Sequence, residues 1–163
     1  MASDVVASEN RAAYAAAAWM VIFAAMSFYW AAGGMVGAET LGPAISDRAE
    51  VRDPDFVAVL WATAVAKLLG AGLALALVQP CGRRLPRRLL LTVAWAAAGL
   101  ILLYGAANLV QHALMVTGVL DVPAGLGRTA ARWHLFFWDP FWLLGGGLLA
   151  AAAARFGQRS RRT

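Results

Sequence analysis

Four long apolar stretches separated by short polar segments set the pattern of this chain. They run over residues 12–35, 55–78, 89–117 and 132–154. Each exceeds the roughly 20 residues that a helix needs to cross a hydrocarbon core at about 1.5 Å of rise per residue. Lipid offers the backbone no hydrogen bonds, so a crossing segment must satisfy its own amides and carbonyls, and this selects helices. The predicted fold is all-α: a polytopic membrane protein with one domain over residues 1–163, built as an antiparallel bundle of four transmembrane helices.

The connections sharpen this picture. The turn 79–88 (QPCGRRLPRR) is too short for structure of its own, which predicts that helices two and three are antiparallel neighbours. The connection 118–131 is short and punctuated by glycine and proline. The connection 36–54 is the longest, and its Glu39, Asp47, Glu50 and Asp53 outnumber Arg48 and Arg52. Nine arginines (Arg11, Arg83, Arg84, Arg87, Arg88, Arg155, Arg159, Arg161 and Arg162) fall on one side of the predicted bundle. Four (Arg48, Arg52, Arg128 and Arg132) fall on the other. The positive-inside rule then predicts both termini in the cytoplasm, in a multi-pass protein of a bacterial cytoplasmic membrane.

Composition supports lipid as the solvent. The chain is 61% hydrophobic and 14% charged, against about 25% charged residues in soluble domains. Its pI near 10.3 does not indicate nucleic acid, because the basic residues flank the apolar segments, where topology explains them. Membrane lipids are the expected partners, with anionic headgroups at the same arginines. The one cysteine, Cys81, cannot form an internal disulfide and reads as an inert turn residue, with acylation the alternative. The acidic start, MASDVVASENR, lacks the basic region of a secretory signal, so no signal peptide is expected.

Two charges lie inside the apolar segments, and they direct attention to chemistry. Lys67, the single lysine of the chain, sits about twelve residues into helix two. Asp139 sits within Trp138-Asp139-Pro140-Phe141-Trp142. Charges at such depth face the bundle interior and find partners, and the expected arrangement is a Lys67–Asp139 pair in one pocket. A second reading stays open. Proline disfavours helical geometry in the preceding residue, so Asp139 can instead cap a new helix that begins at Pro140. Tyr104, Asn108 and His112 recur at four-residue spacing on helix three, with Gln111 beside them and His134 at the top of helix four. Tyr29, Trp30, Trp138 and Trp142 supply apolar walls to the same predicted layer. His112 and Asp139 are the candidate acid–base residues. A metal site would need His112, His134 and a carboxylate such as Asp139 or Glu39. No H-x3-H spacing or cysteine pair supports one, so neither metal nor cofactor is expected.

Small residues at one-turn spacing, Gly33-x3-Gly37 and Ala66-x3-Gly70, and the run Gly145–Gly147 fit close helix approach in lipid. At Tyr29-Trp30-Ala31-Ala32-Gly33-Gly34 and Trp138-Asp139-Pro140-Phe141-Trp142-Leu143-Leu144-Gly145-Gly146 the sequence resembles a family of small bacterial four-helix membrane proteins. That family is known only as a domain of unknown function, the group numbered 3995. The resemblance implies a four-pass membrane protein in which Tyr29, Trp30 and Asp139 belong to a shared pattern, and it implies no activity.

Three functions follow from these residues. The first is a membrane protein whose polar pocket, in the outer half of the bundle, binds a small amphiphile, ion or proton. The second is an enzyme acting on a lipid or isoprenoid by acid–base chemistry. The third is an accessory subunit of a membrane complex. Four short helices are few for transport, so a homo-oligomer or a membrane partner protein is the further expectation.

Overall fold

The computed structural model describes the backbone of residues 2–159 and the side chains of residues 10–80, 82 and 84–158 within that range. The side chains of Cys81, Arg83 and Arg159, and the residues Arg161 and Arg162, lie outside the described residues, as do the expectations placed on them. Helix α1 (Ala2–Ala31) leads through a 3-10 turn (Ala38–Leu41) and a short helix α2 (Pro43–Glu50) into α3 (Pro54–Ala76). A second 3-10 turn (Pro80–Arg84) precedes α4 (Arg87–Val116). The fourth long helix runs continuously through α5 (Arg128–Trp133), a π-helical turn (His134–Trp138) and α6 (Asp139–Arg159). The described residues contain no strand. Four helices are long and apolar enough to cross a membrane: 10–31, 54–76, 87–116 and 128–158.

The helix ends follow from local chemistry. Helix α1 stops at Ala31, four residues short of the expected end. Gly33 adopts a φ of +102°, a conformation open to glycine and costly elsewhere. The two aromatics before it fold onto the loop: the Trp30 indole donates to the Val36 carbonyl at 3.0 Å, and the Tyr29 hydroxyl accepts from the Val36 amide at 3.4 Å. Arg52 reaches back and donates to the Ala31 carbonyl at 2.9 Å, placing a cation at the negative end of the α1 dipole. Helix α3 opens on an aspartate cap. Asp53 accepts the amides of Asp55 and Phe56 at 3.0 and 3.1 Å, and its other oxygen accepts from Arg48 at 3.1 Å. The Phe56 amide first, then the Arg48 side chain, hold this carboxyl below the usual carboxylate range.

Helix α1 lies at the centre. It packs along α3 on one side and α6 on the other, and α4 packs along α6. Its small residues Ala13, Ala16, Ala17 and Ala24 are all buried, so neighbouring backbones approach closely and gain dispersion contacts that lipid would not supply. The glycine run of α6 serves the same end. A β-carbon at Gly145 would overlap the Trp19 ring, and one at Gly146 would meet Leu102 at 2.8 Å. Outward residues such as Leu69, Leu100 and Leu103 are each about 70% exposed, as expected of helix faces that meet acyl chains.

One expectation is corrected. Helices α3 and α4 share a short turn but few contacts along their length. The side chains of Trp19 from α1 and Trp142 from α6 line the space between them. The result is a lateral groove of about 350 Å³, lined by Trp19, Met20, Thr63, Ala66, Lys67, Gly70, Ala97, Leu100, Ile101 and Trp142.

Candidate functional site

The two charges within the long apolar helices do not meet each other. Lys67 extends from α3 towards α1, where its ammonium donates to Ser27 Oγ at 2.6 Å. The ammonium also lies 3.7 Å from the centre of the Phe23 ring. Phe23 in turn contacts Trp138, Phe141 and Trp142 of the fourth helix. An aromatic face attracts a cation through its quadrupole, by about 2 kcal/mol when water is excluded. Among the described residues no carboxylate pairs with Lys67. The expected Lys67–Asp139 pair is replaced by an ammonium held by one hydroxyl and one ring.

Asp139 has a different partner. It is 1% exposed and accepts a hydrogen bond from His112, itself 6% exposed, with Nδ1 and Oδ2 2.7 Å apart. The His134 ring stacks on His112 with centroids 4.6 Å apart and planes at 24°. One ligating atom from each of His112, His134 and Asp139 lies within 4.8 Å of the other two. Glu39, the other carboxylate considered for such a group, is not part of it.

The alternative reading of Asp139 as a helix cap is also corrected. Its φ and ψ are −69° and −45°, within the helical region, and its own amide donates to the His134 carbonyl five residues back. Pro140 permits this, because it has no amide to give to the carbonyl four residues before it. The helix widens by one residue instead of breaking. This has a direct effect on the site. Residues five apart in a regular α-helix point about 140° away from each other at 3.6 residues per turn. The wider turn brings His134 and Asp139 to the same side, facing His112 on α4.

The remaining predicted residues serve other roles. Asn108 donates to the Tyr104 carbonyl of its own helix at 2.8 Å, and Gln111 is exposed. Tyr104 meets Trp142 edge-on, with ring centroids 5.0 Å apart. Tyr29 and Trp30 tie down the loop that follows α1, as described above. Trp138 is buried and donates its indole N–H to Thr40 Oγ1 at 3.1 Å, fastening the outer 3-10 turn to the fourth helix. Both motifs of the family resemblance thus contribute loop closure and helix contact, with Asp139 as the polar exception. Ser27 and Thr40 escaped the sequence reading. Their signal was present in Ser27, a hydroxyl inside the apolar run of α1, one turn beyond Phe23.

The His112–Asp139 pair is the usual arrangement of a base oriented by a carboxylate. Among the described residues the side-chain hydrogen bond of His112 is that to Asp139. Two further chemistries remain open to this layer: proton exchange and cation coordination.

Residues 20–149 match the profile of a family described as "Protein of unknown function (DUF3995)". No curated protein matches the chain. No solved structure matches it.

Proposed function

The chain belongs to this family of unknown function, and on that premise we propose that it is a multi-pass protein of a bacterial cytoplasmic membrane that binds a small amphiphile from the lipid phase. Both termini lie in the cytoplasm in this reading, which the excess of arginines on the terminal side supports. The binding place is the groove between α3 and α4. The observation that carries the proposal is Lys67: its side chain lines an almost wholly apolar groove, and its ammonium, turned onto Ser27 and Phe23, has no carboxylate partner among the described residues. A buried charge without a counter-charge is costly and marks a site by default. The Trp19 indole N–H, on a residue of the groove floor, also lacks an acceptor among the described residues. The apolar lining suits a ligand's tail, and a compact head that accepts hydrogen bonds reaches these two donors once the Lys67 and Trp19 side chains turn towards the groove. A carbonyl or a carboxylate meets this description. The groove volume of about 350 Å³ lies within the range of roughly 300–1,000 Å³ found for small-molecule sites.

Tryptophan fluorescence tests this reading, because Trp19 and Trp142 line the groove. A dibrominated fatty acid and a short-chain quinone are titrated separately into the purified protein, and the two arms distinguish the heads. Saturable quenching is expected with at least one of them. The apparent affinity should fall at least about tenfold in Lys67→Met, equal to about 1.4 kcal/mol, and in Ala97→Phe, which fills the groove. Equal quenching of the wild type and both variants by both probes rejects the proposal.

A further inference from the structure

The cluster of His112, His134 and Asp139 is separate from the groove, and it has the composition of a metal site. We infer that it binds one divalent first-row transition-metal ion, through one nitrogen from each histidine and one oxygen from Asp139. This inference does not rest on the amphiphile reading.

Four observations lead to it. First, the three ligating atoms lie within 4.8 Å of one another. Bonds of about 2.0–2.2 Å to a tetrahedral centre place ligating atoms roughly 3.3–3.6 Å apart, so side-chain shifts of about an ångström bring the three onto one ion. Second, two imidazoles and a carboxylate are borderline ligands that favour zinc, iron or cobalt over calcium or magnesium, which prefer sets made of oxygen alone. Third, the ligands are held before any ion arrives. Asp139 and His112 are almost fully buried, and the π turn sets His134 beside them. The Leu41 backbone carbonyl faces His134 from the outer turn, the type of outer partner that orients a ligating ring. Fourth, there is a route of access. His112 lies four residues from the end of α4, about 6 Å of rise. A cleft of about 300 Å³ opens between the end of α4 and α5, bounded by Met115, Ala131 and the Asp121 carboxylate, with Arg128 and Arg132 on its rim. None of the three cluster residues lines this cleft; Met115 and Ala131, each about one turn from a histidine of the cluster, do, and an ion entering here has that layer of side chains to pass.

His112 Nδ1 and Asp139 Oδ2 now share a proton at 2.7 Å. A bound cation takes the place of that proton, which is released, and His134 completes a three-ligand set. Three protein ligands leave at least one position for water or another small ligand, the arrangement of reactive metal sites.

The test uses the full chain, purified in detergent and stripped with a chelator, then titrated with Zn(II) or Co(II) alone. The expected result is about one ion per chain, with visible absorption bands for Co(II) in a mixed nitrogen and oxygen set. His134→Phe keeps a ring stacked on His112 but removes a ligand, so it should fold. Its near-ultraviolet circular dichroism, dominated by the tryptophans, checks that it does. Its affinity should fall by at least about 100-fold, the upper end of what loss of an outer partner costs, and its Co(II) bands should vanish. Gln111→Ala, exposed beside His112, should retain wild-type uptake. The inference is overturned if the wild type gives no stoichiometric Co(II) spectrum, or if folded His134→Phe binds as the wild type does. If His134→Phe does not fold, His134→Gln decides the question by the same affinity criterion.

Discussion

The two polar centres of this protein solve the same problem in opposite ways. Around Asp139, polar groups from two helices satisfy one another: a carboxylate accepts from a histidine, and a second histidine covers the first. Around Lys67, a cation is met by a neutral hydroxyl and an aromatic face. The first centre is complete within the chain. The second has no counter-charge among the described residues, and it lies beside an apolar groove. Where a buried carboxyl group is hydrogen-bonded within the chain, removing a partner should mainly cost stability. Where a buried charge has no counter-charge, removing that charge should mainly cost binding.

The largest expected effect is on the complete centre. Asp139→Ala leaves a buried imidazole without its acceptor and should destabilise the protein by about 3 kcal/mol. Unfolding titrations in mixed detergent measure this, and a loss below about 1 kcal/mol would dissolve the contrast. A pair of double-mutant cycles sharpens it. His112→Phe and Asp139→Asn should couple by about 1–2 kcal/mol, whereas Lys67→Met and Asp139→Asn should add within about 0.5 kcal/mol. Lys67→Met alone should change stability by less than about 1 kcal/mol, because the lost cation–aromatic contact is offset by the desolvation no longer required. Coupling of Lys67 to Asp139 as strong as that of His112 would merge the two centres into one.

The smallest effect lies outside both centres, at Asp53. Its folded-state pKa is depressed, chiefly by the Phe56 amide and Arg48. The stabilisation it provides is therefore present above the ordinary carboxylate pKa and is lost as pH falls through the depressed folded value. Hydrogen exchange at the Asp55 and Phe56 amides should accelerate over that acidic window, relative to the base rate, in the wild type. In Asp53→Asn the change should be weaker. Neither polar centre should respond to this substitution.

Much of the architecture was legible in the residues. Hydropathy and arginine placement located four long helices because lipid enforces a length and an internal hydrogen-bond ledger on each of them. The residues of the outer polar centre were legible too, since His112, His134 and Asp139 stand out in an apolar background. What joins them was not. The Asp139-Pro140 pair is compatible with a cap, a kink or a widened turn, and only the contacts of the fourth helix with α1 and α4 select the last. For that reason the absence of H-x3-H spacing argued against a metal: the histidines come from different helices and the acid is five residues beyond one of them. The Lys67 partner was misread for a related reason. Attraction between opposite formal charges suggested Asp139, while a closer serine and an aromatic face on α1 met the ammonium first. The gap between α3 and α4 was hidden because a short turn fixes where two helices join, and says little about how far they diverge.

The widened turn at His134–Trp138 has a consequence for tolerance to deletion. It amounts to one surplus residue threaded into an otherwise regular spiral. Excising Phe136 would restore ordinary winding upstream of Pro140 and swing everything before it by about 100° relative to everything after. His134 would then look out at acyl chains, and the Trp138 latch to Thr40 would lose its alignment. Relatives that share the chemistry of this layer should therefore preserve the residue count between histidine and aspartate more strictly than the identity of the aromatics in between.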